Sequence, residues 1–293
     1  MKRKKLASLS ITFLLLAVLI LSACQSNQSN PNMVVNVAQT DEIRISPTLT
    51  PILPSSTPTK PVATPTVTAE PKLQACSPLE KIAIADLPSI ISNPFEAPPP
   101  GRDDGHHGVD LAFYRFGELT SMDGLMVNAV FPGKVVGIIN NRPPYGFAVI
   151  IETDLDSVEK TVPQLASVLP EKGQVEPHPA LYCPNLNSVS IDGNKESLYL
   201  LYAHLKTPPT VTIGDQVVCG QTLGEVGTSG MSVNVHLHLE ARVGPAGYPF
   251  PSMAHYENGA TDEEMTNYCL WRVTNTFRMF DPMIFFNSQN TTP

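Results

Sequence analysis

Val235-His236-Leu237-His238-Leu239-Glu240-Ala241-Arg242-Val243 alternates apolar and polar residues over its whole length. A period of two is the signature of a half-buried β-strand. On such a strand residues i and i+2 point to one face, so His236 and His238 stand side by side. Two imidazoles on one rigid element suit a metal ligand with a catalytic neighbour. Two solvated histidines on an exposed face fit the same nine residues, and the remainder of the chain has to decide.

Around this strand the chain has 293 residues, enough for one or two domains. Its start reads as an address. Met1-Lys2-Arg3-Lys4-Lys5 is a positive n-region, Ile11 to Leu21 is an almost unbroken apolar run, and Leu21-Ser22-Ala23-Cys24 closes it with small residues before a cysteine. That order describes a secretory signal. Its ending looks like a bacterial lipobox, which implies cleavage before Cys24, lipidation of the Cys24 thiol and an extracytoplasmic, membrane-anchored lipoprotein. The apolar run is short for a full membrane span. Removing residues 1–23 takes away four basic residues and no acidic ones, which moves the formal charge from −8 to −12. Such a chain repels polyanions, so nucleic acid is excluded as a partner.

Residues 24–75 are rich in Ser, Thr, Pro, Asn and Gln, as in Ser46-Pro47-Thr48-Leu49-Thr50-Pro51. Closely spaced prolines prevent helix and sheet pairing, and little apolar surface is available to bury. The segment reads as a disordered spacer of about 50 residues. Folded character starts near Cys76 and extends over 76–293. Cys76, Cys183, Cys219 and Cys269 remain after Cys24; an even number in an exported chain suggests two disulfides, with three connectivities open.

Short strands are expected at Met126–Phe131, Lys134–Ile139, Phe147–Glu152, Leu198–His204, Val217–Val218, Gln221–Val226 and His236–Val243, separated by Gly and Pro punctuation. Many short strands with tight turns argue for an all-β, mainly antiparallel, sandwich- or barrel-like domain. The pattern lapses over 154–197, which reads as an insertion with one short helix at Val158–Leu169, started or kinked by Pro163. A second short helix is expected at Asp262–Cys269, within a C-terminal extension 246–293.

Two further constellations carry chemistry. In Gly105-His106-His107-Gly108-Val109-Asp110, an extended backbone would put His106, Gly108 and Asp110 on one face, with Gly108 leaving room between the flanking side chains and His107 facing away. Imidazole and carboxylate are both zinc ligands. In Leu201-Tyr202-Ala203-His204-Leu205 a histidine ends a strand. Each motif is weak alone. His178 and His255 fit no motif and read as ordinary loop histidines.

The ordered set HxGxD, YxHL, a Gly-rich turn and HxHxE resembles the lysostaphin-like (LytM-type) zinc metalloendopeptidases, which cleave peptide bonds of bacterial cell walls. Ile213-Gly214-Asp215-Gln216-Val217-Val218-Cys219-Gly220-Gln221-Thr222-Leu223-Gly224 resembles that family's GDxVxxGQxxG turn, and Gly227-Thr228-Ser229-Gly230 its GxxG. The resemblance covers about 94–245, with 154–197 outside it. It implies a zinc cofactor, one per chain, on His106, Asp110 and His238, with His204 and His236 as catalytic groups beside an open fourth position. It further implies that zinc polarises the scissile carbonyl and acidifies its bound water. One histidine would take the proton, and one would stabilise the oxyanion or protonate the amine. The implied substrate is peptidoglycan peptide. By parity Glu240 shares the histidines' face, as an orienting carboxylate or a solvated charge. The chain departs from the family at Val235, where proline is frequent, and at Phe113-Tyr114-Arg115-Phe116, where small residues are usual; both changes alter the groove walls. A non-catalytic cell-wall-binding or hydrolase-activating module on the same fold is the alternative, and the filling of all five site positions weighs against it.

Overall fold

The computed structural model describes residues 73–189 and 191–287. The signal, Cys24 and nearly all of the spacer lie outside the described residues. Among the described residues ten strands are formed: β1 Ile91–Asn93, β2 Val109–Leu111, β3 Met126–Asn128, β4 Gly133–Arg142, β5 Gly146–Asp154, β6 Glu196–Leu205, β7 Gln216–Val217, β8 Thr222–Glu225, β9 Leu237–Pro245 and β10 Arg278–Phe280. Three short α-helices join them: α1 Leu155–Glu159, α2 Leu165–Val168 and α3 Asp262–Arg272. The domain is all-β in character and its strand pairings are antiparallel.

The larger sheet runs β1-β2-β9-β6-β5-β4-β7, and β3 and β8 form a separate pair. One edge of β9 is shared: β2 pairs with Leu237–Leu239, and β10 pairs further along with Ala241–Val243. Central strands β6 and β9 are buried almost end to end, so alternation sorts their residues between two interiors rather than between interior and water. Leu237, Leu239, Ala241 and Val243 join Leu198, Leu200 and Tyr202 in one apolar cluster. On the opposite face Tyr199, Leu201 and Ala203 pack with Phe250, Trp271 and Phe277. His238, Glu240 and Arg242 therefore project toward that second face, which α3 covers.

The helices show why that cover sits where it does. The expected single helix over 158–169 is two, because Pro163 lacks the N–H a continuous helix needs and its ring crowds the preceding turn. Helix α3 starts at a capping box, Thr261 and Glu264 satisfying each other's backbone N–H. It runs to Arg272, three residues beyond the expected end, which brings Trp271 and Arg272 under the sheet. The disulfides pair Cys76 with Cys219 and Cys183 with Cys269. The second ties the 154–197 segment to α3.

A candidate metal centre flanked by two histidines

Asp110 and His238 are direct cross-strand partners in the β2–β9 pairing. Partners across an antiparallel pair hold their Cβ atoms about 4.5–5.5 Å apart, and here His238 Nδ1 lies 2.8 Å from Asp110 Oδ1. His106 arrives from the turn ahead of β2, where its backbone pairs with Glu96. Its Nε2 is 3.0 Å from Asp110 Oδ1 and 3.2 Å from His238 Nδ1. The three donor atoms lie within 4.8 Å of one another. The motif is not one extended run, since β2 begins only at Val109. Gly108 also serves another purpose than the sequence suggests: a Cβ there would lie 2.3 Å from the Leu239 carbonyl oxygen. Glycine lets the two backbones close, and that approach brings Asp110 to His238.

His204 is the least regular of the set. Ala203 pairs with His238 across β6–β9, so strict alternation would turn His204 to the other face. Its φ is +60°, a left-handed conformation uncommon for a residue with a Cβ. That twist breaks the alternation. The His204 ring lies 4.7 Å from that of His236 and 5.8 Å from that of His238, centroid to centroid. His236 Nε2 in turn lies 3.4 Å from Asp110 Oδ1. All five sequence-derived residues line one cleft of about 240 Å³, together with Tyr145, Asn234 and Arg272.

Each ring has its outward nitrogen against an acceptor. His106 Nδ1 donates to the Pro94 carbonyl (2.8 Å), His204 Nδ1 to that of Ser229 (2.8 Å) and His236 Nδ1 to that of Asn234 (2.9 Å). His238 Nε2 donates to Glu240 Oε1 at 3.1 Å. With a metal ion held inside, these bonds would keep each ring's proton outside and turn the inward nitrogen's lone pair toward the ion. Without an ion, His106 Nε2 and His238 Nδ1 lie at hydrogen-bond distance from Asp110 Oδ1, and a proton on His238 Nδ1 links that ring to the carboxylate. A metal cation would take that proton's place, and the nitrogen and oxygen donors suit zinc.

The electrostatics follow from burial and partners. Burial works against ionisation of Asp110, but hydrogen bonds from His106 and His238 outweigh it and hold the carboxyl well below its usual range. Burial also disfavours a charged His238, yet its bonds to Asp110 and Glu240 raise it to about 9. His204 is lowered to about 3, first by burial and then by the neighbouring His238 and His236. It is therefore neutral at ordinary pH.

Glu240 is not a solvated charge. It is fully buried and accepts from His238, from Tyr145 Oη (2.8 Å), from Trp271 Nε1 (2.7 Å) and from both Nε (3.0 Å) and Nη2 (2.7 Å) of Arg242. Burial pushes its pKa up, and Arg242 with His238 pull it well below the usual value. His107 does face away from the cleft, but into this same interior: Arg242 Nη2 donates to its Nδ1 at 3.0 Å. Arg272 continues the layer through Asp103 (Nε to Oδ1, 2.6 Å) and the Tyr145 hydroxyl (3.2 Å). His255 is buried as well, with Nε2 donating to the Tyr182 carbonyl at 2.8 Å, whereas His178 is exposed. Trp271, Arg272, Asp103 and Tyr145 escaped the sequence reading, for their spacing carries no signal.

Fold and site together define an antiparallel β-domain whose sheet gathers four histidines and an aspartate around a candidate metal centre. Residues 171–249 match the model of Peptidase family M23. The match takes in His204, His236 and His238 and begins after His106 and Asp110. No curated protein matches the chain. Similar solved structures include a zinc-containing peptidase from Vibrio cholerae (20% identity, 52% of this chain and 32% of that one, TM-score 0.30). A putative peptidase M23 from Pseudomonas aeruginosa gives 18% identity, 67% and 48% coverage and a TM-score of 0.30. The catalytic domain of lysostaphin from Staphylococcus simulans gives 18%, 67% and 90%, and 0.34. The chain thus spans 32% and 48% of the length of the first two.

Proposed function

We propose that this chain is a zinc-dependent endopeptidase that hydrolyses peptide bonds of bacterial peptidoglycan. The observation that carries this reading is the convergence of His106 Nε2, His238 Nδ1 and Asp110 Oδ1, beside His204 and His236 whose Nδ1 atoms rest on main-chain carbonyls. His106, Asp110 and His238 would hold the ion. Zinc bound there supplies a Lewis acid for the scissile carbonyl and lowers the pKa of a coordinated water.

The chain's own groups do the proton work. His204 and His236 each keep Nδ1 committed to a main-chain carbonyl, which leaves Nε2 to accept a proton. As water adds to the carbonyl carbon, one imidazole takes its proton through Nε2. That imidazole, then protonated on Nε2, returns the proton to the leaving amine as the C–N bond breaks, and the other stands beside it with its ring centroid 4.7 Å away. Glu240 fixes the His238 ring. The lipobox Leu21-Ser22-Ala23-Cys24 and the spacer support an extracytoplasmic site of action, with the domain tethered to a membrane through lipid on Cys24.

Digestion of purified murein sacculi by the zinc-loaded full chain, with mass spectrometry of the fragments, tests this. New amino termini are expected. Sacculi and oligoglycine both left intact would overturn the enzymatic reading. Silent zinc-loaded protein that still bound sacculi would identify a binding module instead.

A further inference from the structure

The walls of the catalytic cleft hold little charge. Histidines apart, Asp110 and Arg272 are the charged side chains among the described residues that line it. Asp110 is taken up by the candidate metal centre, which leaves Arg272 as the fixed charge facing whatever lies in the cleft. It comes from α3, beyond residues 171–249 and beyond the stretch 94–245 that resembles the LytM-type pattern. The cation is thus an addition made by the C-terminal extension of this chain.

Two arginines stand against Glu240, and the protein uses them differently. Arg242 is wholly buried, and each of its three nitrogens donates inside the protein. Nε reaches Glu240, Nη1 the carbonyls of Trp271 and Phe277, and Nη2 both Glu240 and His107. It is complete without a ligand. The Arg272 side chain is 12% exposed. Its Nε donates to Asp103 and its Nη1 to the Tyr145 hydroxyl, but Nη2 makes no hydrogen bond among the described residues.

The Arg272 head is nevertheless held in place. Its Cζ lies 5.8 Å from the Tyr145 ring centroid and 5.3 Å from that of Tyr268. Three residues earlier the Cys183–Cys269 disulfide anchors α3. Arg242 and Arg272 balance Glu240 and Asp103, so no surplus negative charge in this layer repels an incoming anion. A fixed, planar guanidinium with donors to spare suits a carboxylate. Arg272 also stands close behind the metal site: its Nη1 is 3.6 Å from Glu240 Oε1, which holds His238 at 3.1 Å. An extended peptide advances about 3.3 Å per residue. A carboxylate that reaches Arg272 therefore belongs to a residue near the scissile bond.

We propose that Arg272 is a specificity-determining residue that receives a carboxylate of the peptide lying in the cleft. The inference rests on the endopeptidase reading above and narrows its substrate to acidic stem peptides rather than neutral bridges such as oligoglycine. A carboxyl branch and the peptide's own C-terminal end share this chemistry, and the test separates them.

The test reads binding rather than turnover. The zinc-loaded full chain carrying His204→Ala is titrated calorimetrically with synthetic cell-wall stem peptides. In these, each carboxyl in turn is left as the acid or made the primary amide. At one carboxyl the acid should bind about 10-fold or more tighter than the amide, the scale of a hydrogen bond between charged groups. Which carboxyl it is tells branch from terminus. Adding Arg272→Gln should bring that ratio to within about twofold, and Arg272→Lys should lower it at least about threefold, because the charge stays and the planar fork is lost. A merely structural arginine would weaken acid and amide alike and leave their ratio unchanged. Where the glutamine variant does not fold, judged by circular dichroism, the lysine variant decides alone.

A ratio near one at every carboxyl, or no binding of any stem peptide, would overturn the proposal. So would a ratio that survives the substitutions, as direct coordination of the carboxylate by zinc would give. The two readings fail separately. A chain with His204 intact that cuts stem peptides, with a ratio indifferent to Arg272, overturns this inference alone. One that binds them with the expected ratio and cuts none overturns the enzymatic reading alone.

Discussion

His236 and His238 stand two residues apart on one strand face, yet the protein holds them by different means. His238 lies inside β9 and its outer nitrogen rests on Glu240, a buried carboxylate with four further donated hydrogen bonds. His236 sits just ahead of β9 and rests on a loop carbonyl, that of Asn234, with His204 likewise on that of Ser229. The difference matches the two tasks proposed for them. A metal ligand gains from a fixed ring and from the extra basicity an anionic partner confers. A proton carrier gains from a neutral partner, which leaves its affinity for protons modest.

That contrast can be broken by substitution. His204→Ala, with the zinc set untouched, should lower turnover about 10²–10⁴-fold, as expected for loss of a general acid–base group. Steady-state hydrolysis of a fluorogenic cell-wall peptide measures it. Next in size, Glu240→Gln should weaken zinc affinity about 10–100-fold, since a neutral amide replaces the anion behind His238; competition against a chromogenic chelator reads this without any turnover. A matching change behind His236 is impossible by side-chain substitution, because its partner is main chain. Trp271→Phe removes one of the donors to Glu240 and should cost about 1.5–3 kcal/mol of stability, the range for a hydrogen bond to a charged group, read by chemical denaturation.

A further effect concerns pH. His204 is depressed to about 3 from 6.5, so it is unprotonated in the folded chain where the unfolded chain would bind a proton. Its contribution to stability is present above pH 6.5 and is lost as pH falls toward 3. Melting temperatures of the metal-free chain across that window should fall less steeply for His204→Asn than for the parent. An identical slope would remove burial as the source of the depression.

Much of the sheet was legible because its strands alternate cleanly and glycine or proline ends them. Lys134–Ile139, Phe147–Glu152, Leu198–His204 and His236–Val243 all lie within or closely against observed strands. The three-residue strands β1 and β10 were not legible, since so short a run has no periodicity to read. Parity on β9 placed Glu240 beside His238, but its burial depends on Trp271 and Arg272 from a helix some 30 residues later. His204 was legible only through the family pattern, for its residue type gives no sign of a positive φ. The carbonyls of Pro94, Ser229 and Asn234 left no trace at all, because a main-chain acceptor does not depend on the side chain that bears it.

The central claim is that five clustered residues divide into three that hold metal and two that move protons. Native mass spectrometry of the zinc-loaded chain and its His238→Ala and His204→Ala variants, with hydrolysis measured on the same samples, tests it most directly. The account predicts one zinc in the parent and in His204→Ala, none retained by His238→Ala, and hydrolysis only by the parent. Zinc retained equally by both variants, or lost equally from both, would contradict the division.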